Sequence, residues 1–248
     1  MSELENRKLL LCFIAIVALT IATQLVSLAF GASDPDQSFG DVFLPSTLAL
    51  LAITVPLAGL GILIWKNIQF GGSPKLYAVM ARRPGARTAI FRDIAVTSVA
   101  GFAVGLAMVG LRMALHHHLP DDLPDFGFRG VAGGLAVSIG AAVGEEVWFR
   151  LGLMSCLVWL LTKFTRQERP SDLTAWVGIF VLAVLFGAAH VPQLASFDAA
   201  TPIGIAGTIF GNTVVGTLYG WFYWRKGLLA AISTHFWADV AIHVLPAF

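Results

Sequence analysis

The chain has 248 residues, of which 57% are hydrophobic and 12% charged, with a net charge of +1 and a mean hydropathy of +0.78. A soluble domain carries about 25% charged residues, so half that figure excludes one and points to a polytopic membrane protein. The near-zero charge, in basic loops without interleaved aromatics, gives no support to a nucleic-acid partner. Its two cysteines, Cys12 and Cys156, both fall in apolar runs and read as buried thiols rather than a disulfide or a zinc knuckle.

A membrane-crossing helix needs about 20 apolar residues. Seven segments qualify in chain order: 9–30, 44–65, 93–115, 130–162, 174–191, 203–224 and 228–246. The first reads as a retained span, because it is longer than a signal-peptide core and lacks a clear cleavage site beside it. The fourth is too long for one perpendicular crossing, so it must tilt or project into water. Its glycines (Gly130, Gly133, Gly134, Gly140, Gly144) allow close helix packing.

The linkers alternate in charge. Arg7 and Lys8 precede the first span, and linker 31–43 holds Asp34, Asp36 and Asp41 with no basic residue. Linker 66–92 holds Lys66, Lys75, Arg82, Arg83, Arg87 and Arg92. Linker 116–129 has three aspartates and Arg129, and linker 163–173 has Lys163, Arg166 and Arg169. Linker 192–202 has no basic residue, and the turn after the sixth span has Arg225 and Lys226. The positive-inside rule then gives an all-α bundle of about seven spans with a cytoplasmic N-terminus and an outside C-terminus. Residues 1–248 read as a single transmembrane domain.

Ionisable groups inside spans are costly and mark function by default. Glu145 and Glu146 are helical neighbours about 100° apart, so they point different ways. Glu146 and Arg150 share a face and can form a neutral pair. Glu145 has no partner on its own helix and must find one on another or stay partly protonated in the low-dielectric interior, which suits it to act as a general base in a cavity. Phe186 and His190 lie one turn apart near the end of the fifth span, and His235 and Asp239 share a face in the last. His243 continues that stripe and reads as interfacial. His116, His117 and His118, and Arg112 with its long stem, read as a polar span end. Asn212 is a candidate for a hydrogen bond between helices.

Glu-Glu-x-x-x-Arg (Glu145, Glu146, Arg150), Phe-x-x-x-His (Phe186, His190) and His-x-x-x-Asp (His235, Asp239), in this order on separate spans, resemble the motifs of the CAAX-prenyl-protease and bacteriocin-processing family. That family of intramembrane proteases is also called CPBP or Abi. The resemblance covers residues 130–245, the catalytic core, and leaves the first three spans without a family signal. It implies that Glu145 with His190 activates a water, that His235 and Asp239 stabilise the oxyanion, and that Glu146 and Arg150 orient the site. The family's eukaryotic-type members carry Asn where this chain has Asp239. An ionised aspartate cannot donate a hydrogen bond to an oxyanion, so Asp239 instead orients His235, is protonated, or binds a metal.

The cofactor reading is therefore none, or a divalent metal such as zinc, for which Glu145, His190, His235 and Asp239 are the candidate ligands. The sequence lacks His-Glu-x-x-His. The expected partners are a peptide or protein substrate, prenylated or leader-type, and the lipid bilayer of a prokaryotic plasma membrane. Two other classes stay open: an ion or metal transporter using the same carboxylate–histidine line, and a non-catalytic immunity or scaffold protein.

Overall fold

A computed structural model describes residues 3–31 and 39–248, without the side chains of residues 3, 4, 31 and 39. Asp34 and Asp36 of the expected acidic linker lie outside the described residues. All regular structure among the described residues is helical: α1 (Glu3–Gly31), α2 (Phe39–Ile68), α3 (Pro74–Met80), α4 (Ala86–Leu115), α5 (Gly130–Glu145), α6 (Ser155–Phe164), α7 (Asp172–Ala189), α8 (Val191–Ala195), α9 (Pro202–Lys226) and α10 (Leu228–Asp239). Helix α5 runs without a break through a π-helical stretch, Glu146–Met154, into α6. A second π stretch, Val240–Val244, follows α10.

Local chemistry sets the helix starts. Ser171 caps α7 by accepting from the Thr174 backbone N–H at 3.2 Å, with Asp172 in the first turn. Thr201 caps α9 through the Gly204 N–H at 3.1 Å, and Pro202 opens the first turn.

Among the described residues six helical segments are both long and apolar enough to cross a membrane, including one of 35 residues over Gly130–Phe164. The chain is an integral membrane protein. The seventh expected span, 203–224, is the 25-residue α9, which falls short in apolarity alone. Its glycines, threonines and Asn212 dilute its apolar character, and it packs along α7 and α10 while Ile203 and Phe210 stay exposed. Asn212 does not bridge helices as expected. Its Nδ2 donates to the Thr208 carbonyl of its own helix at 2.9 Å.

The linkers gather at two ends as their charges require. At one end the buried Asp93 carboxylate holds both Lys75 and Lys226, the latter at 2.9 Å. The Leu228 N–H donates to the Gly72 carbonyl there at 2.7 Å. At the other end Arg112 Nη2 donates to the Leu123 carbonyl at 3.2 Å, its guanidinium lies 4.3 Å from the Phe126 ring, and Phe128 packs against Phe197. Arg112 is thus fastened to the loop that follows it rather than merely snorkelling.

Close packing rests on small residues, as expected where lipid supplies no hydrophobic drive between helices. Gly101 and Gly105 of α4 form a Gly-x-x-x-Gly step against α10. A Cβ at Gly105 would meet the Ala238 carbonyl at 2.5 Å and the Ala241 Cβ at 2.8 Å, whereas one at Gly110 would meet nothing within 4 Å. Gly105→Ala is therefore expected to cost about 1–3 kcal/mol through overpacking, and Gly110→Ala to be neutral or slightly stabilising. Thermal unfolding of the two variants in detergent micelles checks both.

Candidate active site

Glu145 ends the α-helical part of its span, and Glu146 opens the π stretch. Asp239 likewise ends α10 immediately before the second π stretch. Such stretches shift hydrogen bonding from i→i+4 to i→i+5 and recur at functional sites. The shift is visible at Ser155, whose backbone N–H is directed to the Arg150 carbonyl five residues back.

Glu146 is fully buried and lies between Arg150 and His235. Its Oε2 is 3.4 Å from Arg150 Nε, the expected neutral pair, and its Oε1 is 2.9 Å from His235 Nδ1. Arg150 is also buried. Its Nη2 donates to the Gly216 carbonyl of α9 at 3.1 Å, and its guanidinium lies 4.5 Å from the centre of the Phe186 ring. A carboxylate facing a guanidinium is an acceptor, so His235 donates from Nδ1.

The other imidazole nitrogen meets the remaining carboxylates. His235 Nε2 is 3.5 Å from Asp239 Oδ2 and 3.8 Å from Glu145 Oε2. Glu145 and Glu146 diverge, as the helix requires, and reach the two nitrogens of one ring. Glu145 therefore finds its partner on another helix in His235. No hydrogen bond or ion pair joins Glu145 to His190 among the described residues.

His190 caps α7, and its Nδ1 lies 2.8 Å from the Phe186 carbonyl. A carbonyl can only accept, so Nδ1 donates the proton and Nε2 of the neutral ring keeps its lone pair. Phe186 joins this histidine to the others: its ring is 4.8 Å from His190 and 5.9 Å from His235. Phe186 thus sits beside His235 and Arg150, while His190 lies one turn further on.

Two features escaped the sequence reading. Tyr219 of α9 stacks on His235, with ring centres 4.5 Å apart and planes 16° from parallel. Gly216, one turn earlier, exposes the carbonyl that Arg150 binds, and a Cβ there would meet Arg150 Nη2 at 3.1 Å.

Among the described residues no group of three or more His, Cys, Asp or Glu is placed to hold a metal ion. The candidate ligands Glu145, His190, His235 and Asp239 do not form such a group. Nor do His116, His117 and His118, which are exposed at the end of α4. The residues as placed do not fit a metal centre, and no step below passes through one.

Membrane-length helices thus close around buried Glu, Arg, His and Asp side chains. Residues 127–241 match the family described as Rce1-like, type II CAAX prenyl endopeptidase. The match supports a CAAX-type intramembrane protease in general and agrees with the resemblance read from the motifs. The matched segment contains all six site residues, and α1 to α4 lie outside it. No curated protein and no solved structure matches the chain.

The burial of the cluster separates its members. Removing one charge of a buried pair leaves the other uncompensated, which costs about 3–5 kcal/mol. Glu146→Gln should therefore lower the unfolding temperature markedly. Glu145 is 23% exposed at its side chain, so Glu145→Gln should leave that temperature close to wild type. Thermal unfolding of both variants in micelles tests the contrast.

Proposed function

We propose that the protein hydrolyses a peptide bond of a membrane-associated peptide, with a water activated by Glu145 and His190. The carrying observation is the split within the cluster. Glu146, Arg150, His235 and Asp239 are buried, whereas Glu145 and His190 are only half-buried. The half-buried pair offers an imidazole Nε2 lone pair and the Glu145 carboxylate, whose Oε2 lies enclosed beside His235 without a hydrogen bond; both groups are acceptors for a water's protons.

Glu145 removes a proton from the water, whose oxygen attacks the substrate carbonyl carbon. The resulting oxyanion is met by His235 Nε2–H, in a ring that donates at both nitrogens while Glu146 holds Nδ1–H. Collapse of the intermediate breaks the C–N bond, and the proton on Glu145 passes to the leaving amine. Asp239, beside Nε2, orients the ring. Arg150 fixes Glu146. The substrate class we favour is a prenylated or leader-type peptide presented at the membrane, the family match lending support to the prenylated one, and the setting we favour is a prokaryotic plasma membrane.

Glu145→Ala and His190→Ala should each lower cleavage of a farnesylated, internally quenched CAAX-type peptide in proteoliposomes by at least about a hundredfold. Both proteins should still fold and insert. Full activity in both variants would exclude the reading. Comparison of membrane-peptide termini from cells with wild type and Glu145→Ala identifies the natural substrate.

A further inference from the structure

We propose that the Tyr219 hydroxyl is a further catalytic group, an O–H donor to the oxyanion that does the work an ionised Asp239 cannot. The proposal rests on the protease reading above.

A count of hydrogen-bond donors leads to it. Glu145, Glu146 and Asp239, when ionised, only accept. Arg150 points its Nε at Glu146 and one Nη2 proton at Gly216, and its Nη1 is enclosed without a partner. His235 Nδ1–H and His190 Nδ1–H are committed to Glu146 and to the Phe186 carbonyl. His235 Nε2 thus stands as a single donor where acyl-transfer sites commonly aim two.

Tyr219 is placed to supply the second. Its side chain is 1% exposed, and its ring lies flat on His235. A buried tyrosine usually finds a partner for its hydroxyl. Tyr223, one turn further along α9, has one in Ser155 Oγ at 2.7 Å. The Tyr219 hydroxyl makes no hydrogen bond among the described residues, and the Arg150 guanidinium lies 5.5 Å from the centre of its ring. A phenol O–H on the ring stacked against His235 completes a two-donor site, with α9 carrying one donor and α10 the other.

The step needs no further reagent. As water adds to the carbonyl, the C=O π pair moves onto oxygen, and the phenol O–H and imidazole N–H both donate to it. The phenol keeps its proton when the intermediate collapses.

Wild type, Glu145→Ala, Tyr219→Phe, Asp239→Asn and the double variant Tyr219→Phe/Asp239→Asn are compared in nanodiscs on the farnesylated, internally quenched CAAX-type peptide. Tyr219→Phe keeps the stacked ring and loses the hydroxyl alone. It should lower kcat about 10²–10³-fold, the usual effect of losing one oxyanion donor, with KM and the unfolding temperature near wild type. The double variant should recover at least tenfold over Tyr219→Phe, because the asparagine amide restores a donor at the other side of the site. Retention of more than a third of kcat in Tyr219→Phe, a loss confined to KM, or a double variant no more active than Tyr219→Phe would overturn the proposal. Equal cleavage by wild type and Glu145→Ala would instead overturn the protease reading on this peptide, and the role of Tyr219 with it.

Discussion

The site depends on one buried carboxylate. Glu146 has no exposure and is held between Arg150 at 3.4 Å and His235 at 2.9 Å. A carboxylate alone in this interior would be prohibitive, and the pairing with Arg150 offsets much of that cost. The consequences spread outward. A paired, accepting Glu146 makes His235 donate from Nδ1, so the other edge of the ring turns to Glu145 and Asp239. Arg150 in turn ties the pair to α9 through the Gly216 carbonyl. Three separate segments of chain are thereby fixed about one charge.

The two π stretches sit where this arrangement makes its tightest demands. Each begins directly after a carboxylate that faces His235 Nε2, Glu145 in one case and Asp239 in the other. Changing the hydrogen-bond step at those points changes the direction in which the following residues project. Ser155 shows how the freed groups are satisfied: its hydroxyl also donates to the Arg150 carbonyl at 3.2 Å, and it pairs with Tyr223 on α9.

Much of this was legible in the sequence, for identifiable reasons. Charge inside an apolar run is costly enough to be informative, so Glu145, Glu146, Arg150, His190, His235 and Asp239 stood out individually. Helical spacing alone paired Glu146 with Arg150 and separated Glu145 from both. The alternating linkers anticipated the two ends at which Asp93–Lys226 and Phe128–Phe197 now meet. The long fourth span was legible as too long, but its internal change of helix type was not, since an α-periodic pattern carries no mark of an i→i+5 step. Tyr219 was hidden for another reason. A tyrosine in an apolar helix is ordinary, and only its stacking on His235, a contact between different helices, sets it apart. That Glu145 meets His235 on another helix was not legible, because spacing within each helix says nothing about register between helices.

The family match covers the helices that bear the site residues, yet their placement draws on helices outside it. Gln24 of α1 donates to the Gly140 carbonyl at 2.7 Å, little more than a turn before Glu145. Trp148, inside the π stretch between Glu146 and Arg150, donates from Nε1 to Thr54 Oγ1 of α2 at 2.9 Å. Ser98 of α4 meets Ser233 of α10 at 3.1 Å, two residues before His235. Each contact joins a side chain of a helix without motif residues to a motif-bearing helix within about a turn or so of a site residue. In a membrane interior such polar contacts contribute on the order of 1 kcal/mol each, too little to define the bundle but enough to set helix rotation and height. The six site residues thus lie within 127–241, while the register of their helices is set jointly with α1, α2 and α4. A segment cut to the family match alone would keep every site residue and lose these three fixings of the helices that carry them.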